Sequence, residues 1–298
     1  MELPKDLDGQ RLDRVVAQLS GLSRAEAKAL VLAGAVTVKG KVGRPTDAPQ
    51  AGDAIEIRLP EPSIQLEAEP VPFEVRFEDS HVAVVDKPSG VVSHPGAGTS
   101  HGTLASGILH RWPQVFGIGD PDRWGLIHRL DRETSGLLLV ALTPLAMERM
   151  RRDLAAREIT RTYDALAHGH FEARTGTIDA PIGRDATRPT RMAVDAHGKP
   201  ARTHYRVEEA FSNPSVSRLS VTLETGRTHQ IRVHLASISH PLVGDAVYGP
   251  PRQPDPGRVW LHSRSIVFRH PESQEWIDVS SPLPDELESS LAELHAQT

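Results

Sequence analysis

The sequence predicts an α+β fold with a mainly antiparallel sheet. Strand-like segments outnumber helix-like segments, and the two kinds do not alternate as they do in parallel α/β proteins. The chain has 298 residues, more than one typical domain of roughly 100–200 residues. Prolines cluster between positions 60 and 72 and predict a stiff, extended linker. We expect a small module at 1–60, a linker at 61–72 and a larger domain at 73–298.

The first 60 residues have the pattern of a compact module. Apolar residues recur at helical spacing over 12–19 and again over 25–31. Short strands are expected at 36–38 and 54–57, the second of them after a Gly-Asp turn. Four cations accompany the two helices: Arg11, Arg14, Arg24 and Lys28.

The larger domain is rich in strands. Alternating or continuous apolar runs predict strands near 73–77, 82–88, 137–142, 159–167, 201–210, 216–225 and 259–268. Thr143 and Pro144 mark the start of a helix, because Thr is a good N-cap and Pro is favoured at the first helical position. Further helices are expected at 229–238 and after Pro284.

Composition excludes several classes of protein. Cysteine is absent, which rules out disulfides, a thiolate nucleophile and thiolate metal sites. No apolar run approaches the roughly 20 residues that span a bilayer. The acidic N-terminus lacks the apolar core of a signal peptide. We therefore expect a cytoplasmic protein.

The charge is unevenly distributed along the chain. Residues 101–240 carry 19 Lys and Arg against 15 Asp and Glu, although the whole chain has a net charge of −5. Eighteen of those 19 cations are Arg, whose planar fork suits phosphate and stacks on bases. The pattern fits a nucleic-acid partner or an ordinary solvated surface, and charge alone does not decide between them.

The histidines do not indicate a metal centre. His229 and His234 are five residues apart, whereas two ligands on one helix face need a spacing of four. The chain also lacks a glycine-rich phosphate loop followed by a helix. We expect neither a metal nor a cofactor.

The most informative stretch runs from Gly125 to Leu137, a polar segment that leads into an apolar strand. Within it, Asp131 lies between Arg129 and Arg132. Positive potential favours the carboxylate form, which can act as a nucleophile or a general base. Taken alone, the segment could equally be a solvated loop.

Other blocks give that stretch a context. His128-Arg129-Leu130-Asp131 with Thr134-Ser135-Gly136 resembles the catalytic motif of the RluA-type pseudouridine synthases. Three further blocks resemble that family in the same order along the chain: Val84 to Val92, Arg161 to Leu166, and Glu224 to His234. The resemblance covers nearly the whole chain.

The resemblance implies an activity and a set of site residues. These enzymes isomerise uridine to pseudouridine in RNA after flipping the base out of its stack, and need no cofactor or metal. Asp131 would be the catalytic carboxylate, and Arg129 would fill the space that the base vacates. Tyr163 would stack on the uracil and could take its carbon-5 proton. Arg232 would pair with the carboxylate, and Leu261 would line the uracil pocket.

The resemblance also suggests the RNA partner. The N-terminal pattern resembles an RNA-binding module of ribosomal-protein type, and shared cues such as His94 to Gly98 are similar to family members that act on large-subunit ribosomal RNA. We therefore expect a monomer that modifies the helix 69 region of that RNA. Alternatives are transfer RNA as substrate, a non-catalytic RNA-binding assembly factor, and an unrelated hydrolase that uses Asp131 with Glu133.

Overall fold

The chain divides into two compact units, Met1–Ser63 and Ile64–Thr298. The computed structural model describes residues 2–22, 24–58, 66–96, 99–188, 191–250 and 256–297. Residues 61–65 of the predicted linker lie outside the described residues.

The first unit contains two helices and a small sheet. Helices α1 (Leu12–Ser20) and α2 (Arg24–Leu32) precede strands β1 (Val36–Val38), β2 (Lys41–Val42) and β3 (Ile55–Ile57). In the described residues the strand order is β2-β1-β3, and both pairings are antiparallel. The helices and strands predicted for this part are confirmed. Their apolar faces form one core of Leu12, Val15, Val16, Ala27, Val31, Val36 and Ile55.

The second unit contains the remaining elements. Its strands are β4 (Glu74–Glu78), β5 (Val82–Lys87), β6 (Ser135–Ala141), β7 (Thr160–His168), β8 (Thr175–Asp179), β9 (Ile182–Arg184), β10 (Met192–Val194), β11 (Arg202–Ser212), β12 (Ser215–Leu223), β13 (Leu261–Arg269) and β14 (Trp276–Ser280). Its helices are α3 (Leu104–Arg111), α4 (Pro144–Ala155), α5 (Gln230–Ser237) and α6 (Asp285–Ala296). The sequence did not predict α3, β8, β9, β10 or β14.

One large sheet organises this unit. Across the described residues its order is β4-β5-β6-β13-β7-β12-β11-β8, with β14 also paired to β13. The β6–β13 pairing is parallel and its other pairings are antiparallel. The predicted α+β class with a mainly antiparallel sheet is therefore confirmed. Strands β9 and β10 form a separate hairpin.

Strand β6 lies at the centre of the unit and is buried on both faces. Leu138 and Val140 belong to the same core as residues of α3, whereas Leu137 and Leu139 belong to the core that contains α4 residues. Because successive side chains of a strand point to opposite faces, a strand covered on both sides is apolar throughout. This burial fixes the end of the loop that precedes β6.

Gly136 allows the parallel pairing of β6 and β13. Its φ of +109° is rarely adopted by other residues, and a Cβ there would lie 2.3 Å from the carbonyl oxygen of Ser263. Only glycine lets the two strands approach at this point. The pairing brings Leu261 at the start of β13 close to the loop before β6.

Candidate active site

A cleft of about 550 Å³ opens in the second unit, and its lining includes all five residues predicted from the sequence. Those residues are Arg129, Asp131, Tyr163, Arg232 and Leu261. The lining includes seven arginines and two carboxylates, so positive charge is in excess. The arginines are Arg123, Arg129, Arg151, Arg157, Arg161, Arg227 and Arg232.

The loop that carries Asp131 is held by the segment after β5. The hydroxyl of Ser93 donates to the carbonyl of Leu130 over 2.6 Å and accepts from the N–H of the same residue over 3.1 Å. The N–H of Gly90 donates to the carbonyl of Arg132 over 2.8 Å. Backbone bonds on either side of Asp131 therefore fix its position before any substrate binds.

Lys87 adds a buried cation to this support. Its side chain is completely buried, and Nζ donates to the carbonyls of Pro88, Val91 and Arg132 over 2.8, 2.8 and 3.2 Å. Burial and the nearby Arg258 lower the pKa of Lys87 to about 7. All three donors of the ammonium group are used, which ties the two loops together.

Arg232 connects Asp131 to a second carboxylate. Its Nε and Nη2 donate to Asp245 over 2.7 and 2.8 Å, while its Nη1 lies 3.7 Å from Oδ2 of Asp131. Burial alone would raise the pKa of Asp245, but the bonds from Arg232 bring that pKa below its usual value. Arg232 therefore lies within ion-pair distance of Asp131, but Asp245 is its closer partner.

Tyr163 and Leu261 form apolar walls of the cleft. Tyr163 is 4% exposed and Leu261 is 3% exposed. Tyr163 pairs with Ser263 of β13 and Val221 of β12, so its backbone is fixed within the sheet. Burial raises the pKa of the Tyr163 hydroxyl, and the opposing effect of Arg161 is smaller. The phenol therefore stays protonated at neutral pH.

The histidines of the motifs have structural partners. His128 accepts from the N–H of Leu139 over 3.2 Å, and burial followed by Arg161 lowers the pKa of His128 to about 3. His234 bonds to Thr203 and to a backbone carbonyl. In the residues that the structure describes, no group of three or more His, Asp or Glu could hold a metal ion.

Sequence reasoning missed the role of Tyr248. Its hydroxyl lies 2.8 Å from Nδ1 of His229 and 3.0 Å from the N–H of Met192. Its ring faces the guanidinium of Arg232, whose central carbon lies 5.1 Å from the ring centre. Tyr248 therefore packs the outer side of the arginine that faces Asp131.

The arrangement suits a flat, anionic substrate. A carboxylate lies in a cleft that is also lined by an aromatic side chain, an aliphatic side chain and seven arginines. Such a cleft can bind a base between its walls and phosphates at its rim.

Within the described part of the chain, no helix is long and apolar enough to cross a membrane.

Known proteins resemble this chain over most of its length. The chain is 41% identical to the ribosomal large subunit pseudouridine synthase D of Escherichia coli strain K12, with 94% of this chain and 89% of that protein covered. It is also 41% identical to the proteins of the same name from Vibrio vulnificus, with the same coverage, and from Nitrosomonas europaea, where 98% and 86% are covered.

Solved structures have the same fold. Human RNA pseudouridylate synthase domain containing 1 superposes with a TM-score of 0.59 at 30% identity, over 75% of this chain and 89% of that one. Human domain containing 4 gives 0.57 at 22% identity, over 74% and 92%, and supports the fold alone. A family profile described as RNA pseudouridylate synthase matches residues 81–237. The chain therefore belongs to the RNA pseudouridylate synthase family.

Proposed function

We propose that this chain converts uridine to pseudouridine in large-subunit ribosomal RNA, in the helix 69 region, in the cytoplasm. The observation that carries the proposal is the position of Asp131, in an arginine-rich cleft and facing Arg232. The names of the 41% identical relatives support ribosomal RNA as the substrate.

The reaction breaks the bond between the sugar and nitrogen 1 of uracil, turns the base, and joins the sugar to carbon 5. Electrons are neither gained nor lost overall, so a carboxylate and a shaped pocket suffice. In our proposal Asp131 attacks the sugar or the ring, or assists deprotonation. Arg232, held by Asp245, orients the carboxylate. The charge-assisted bonds between Arg232 and Asp245 make this orientation stiff.

The base must leave its stack to reach Asp131, which costs a few kcal/mol in enzymes that flip bases. We propose that Arg129, an exposed residue on the rim of the cleft, enters the vacated space. Tyr163 and Leu261 would then hold the uracil between them. The raised pKa of Tyr163 favours the stacking role over direct acceptance of the carbon-5 proton.

The first unit is proposed to bind structured RNA near the target. Arg14, Arg24 and Lys28 are exposed on its helices, where they can reach phosphates. This module favours ribosomal RNA over transfer RNA, because the simplest family members that act on transfer RNA lack it. A non-catalytic assembly factor would not need the Asp131 and Arg232 geometry.

The test is tritium release from carbon 5 of labelled uridine in large-subunit ribosomal RNA transcripts. Asp131→Asn should abolish release while RNA affinity stays within a few-fold of wild type. The matched control is Glu133→Gln, in the same loop, whose side chain is not among those lining the cleft. It should retain the wild-type rate.

Each alternative predicts a different result. Substantial turnover by Asp131→Asn would refute the proposed role of this residue. Loss of tritium release in Glu133→Gln would show that a second carboxylate takes part in the isomerisation, whereas a hydrolase that uses the two carboxylates would release no tritium even as wild type. Tritium release from transfer RNA but not from ribosomal RNA would show that transfer RNA is the substrate. RNA binding without release from any of these RNAs, or from partly assembled subunits, would favour the assembly factor.

A further inference from the structure

An aromatic side chain projects into solvent from the loop between α3 and β6. Phe116 is 70% exposed, although its neighbours Val115 and Ile118 are 0% and 6% exposed. Exposing a large aromatic ring to water is unfavourable, since the side chain gains free energy when it is buried. The ring of Phe116 is therefore free to contact a binding partner.

The loop around Phe116 is held in place by backbone hydrogen bonds. The N–H of Phe116 donates to Pro113, that of Ile118 to Val115, and that of Gly125 to Ile118, over 3.2, 2.9 and 2.8 Å. The ring of Trp124 lies 5.5 Å from that of Phe116, at an angle of 51°. The exposed face of Phe116 is thus supported from behind and is ordered before binding.

Two arginines that line the cleft are bonded to the loop that carries this aromatic pair. Arg123 precedes Trp124 in the chain, and Arg151 comes from α4; both line the cleft. A single carboxylate oxygen of Asp120 accepts from Nε of Arg123 over 2.7 Å and from Nη2 of Arg151 over 2.8 Å. One carboxylate thus orients two guanidinium groups, whose combined charge exceeds its own. Each guanidinium has five N–H donors, so donors remain for a phosphate.

We propose that Phe116 is a stacking platform for an unpaired base of the substrate RNA close to the target uridine, and that Arg123 and Arg151 bind the phosphate between the two nucleotides. Aromatic rings beside arginines bind single-stranded RNA in this way, with little dependence on base identity. The loop that carries Phe116 also carries Asp120, Asp122 and Arg123, whereas the centre of a protein interface is depleted of charge. This inference rests on the proposed function, because it assigns a second contact to the same RNA.

The test measures affinity without turnover, so that it does not depend on catalysis. Asp131→Asn protein is titrated with a stem-loop transcript of the helix 69 region. Adding Phe116→Ala should weaken binding by about 5- to 150-fold, the range found when a stacking residue is truncated. Phe116→Trp should keep the affinity. Thermal unfolding should not change, because the side chain is mostly exposed.

Trp276→Ala is the matched control. Trp276 is also an exposed aromatic residue, 57% accessible and faced by Arg269, but it lies on β14, whereas Phe116 lies on the loop that carries the cleft residue Arg123. It should leave the affinity unchanged.

Transcripts with single abasic positions near the target identify the contact. At one of them, wild-type affinity should fall and Phe116→Ala should cause no further loss, because the partner of the ring is already missing. Unchanged affinity in Phe116→Ala, or an equal loss in Trp276→Ala, would overturn the platform. So would a change in oligomeric state without a change in RNA affinity, which would assign Phe116 to a protein partner. Failure of tritium release by wild type would refute the proposed function but would not alter these affinities.

Discussion

The two units of this protein hold their cations in different ways. In the first unit, Arg14, Arg24 and Lys28 are exposed on helix surfaces. In the second unit, Arg232 is 4% exposed and Arg258 is 7% exposed, and each is paired with a carboxylate. The same type of charge is therefore exposed on helices of one unit and buried against carboxylates in the other.

Exposed cations and buried cations are suited to different tasks, the first to RNA affinity and the second to holding side chains in fixed positions. Exposed cations attract RNA over a distance and through few fixed contacts, so their effect depends strongly on salt. Buried cations lose hydration, and only good geometry with a partner compensates for that loss. A buried cation with well-placed partners holds the surrounding side chains in a stiff arrangement. Arg258 is an example, since its Nη2 donates to the carbonyls of Glu133 and Leu261 and to the hydroxyl of Ser135, which joins the loop that carries Asp131 to the start of β13.

The strongest test of this contrast removes the partner of Arg232. Asp245→Ala leaves a buried guanidinium without its main acceptor, so we expect about 3–5 kcal/mol less stability in urea unfolding. Asp245→Asn keeps the size and one acceptor, and should fold. Because Arg232 would then orient Asp131 poorly, we expect kcat to fall about 100-fold with KM within a few-fold.

If Asp245 had only a structural role, Asp245→Asn would not lower kcat while leaving KM within a few-fold. If Asp245→Asn had the wild-type kcat, Asp245 would not position the catalytic pair. If Asp245→Ala unfolded like the wild type, the buried pair would be no more important than a surface pair, and the contrast between the units would fail.

The second test uses His128, which is half-buried. Its pKa is about 3 in the folded protein, against an ordinary value of 6.5. Between these values the unfolded chain binds more protons than the folded one. The contribution of His128 to the free energy of unfolding is therefore fully present above pH 6.5. It decreases as the pH falls toward 3, by about 1.4 kcal/mol per pH unit. The hydrogen bond also favours the neutral ring, because a proton on Nε2 would occupy the position that accepts the N–H of Leu139.

His128→Asn can still accept from Leu139 but does not titrate. Urea unfolding at a series of pH values from about 7 to about 5 should show a shallower loss of stability for the variant than for the wild type. Equal slopes would mean that His128 is solvated or already charged in the folded state.

Much of the fold could be predicted from local patterns. Helix α4 begins after Thr143 as expected, because the Thr143 side chain accepts from the N–H of Ala146 and Pro144 occupies the first turn. Helix α3 was missed because a glycine interrupts its short apolar stripe. A capping signal was nevertheless present, since the Thr103 side chain accepts from the N–H of Ser106. Strands such as β8 are short and partly polar, so their place is set by neighbouring strands.

The resemblance proposes the residues of the candidate site but not the contacts between them. Motif resemblance identified Asp131 and Arg232, and the cleft contains both. The partnership of Arg232 with Asp245, and the support from Lys87, depend on contacts between distant parts of the chain. Periodic patterns along the sequence carry no information about such contacts. Spacing along the sequence thus predicts which residues are near a helix or strand end, and only the folded sheet determines what they bind.

The smallest expected effect tests the exposed side of the contrast. Lys28→Gln removes one cation from a helix of the first unit. Lys41→Gln, the matched control, removes an equally exposed cation from β2 of the same unit. Both should change stability by less than about 0.5 kcal/mol, as surface substitutions do. If the helices contact phosphates, Lys28→Gln should weaken RNA binding a few-fold and reduce the slope of log affinity against log salt by about 1, whereas Lys41→Gln should not. Equal effects of the two substitutions would mean that the first unit contributes only its overall charge, and the helices would then not form a defined RNA-binding face.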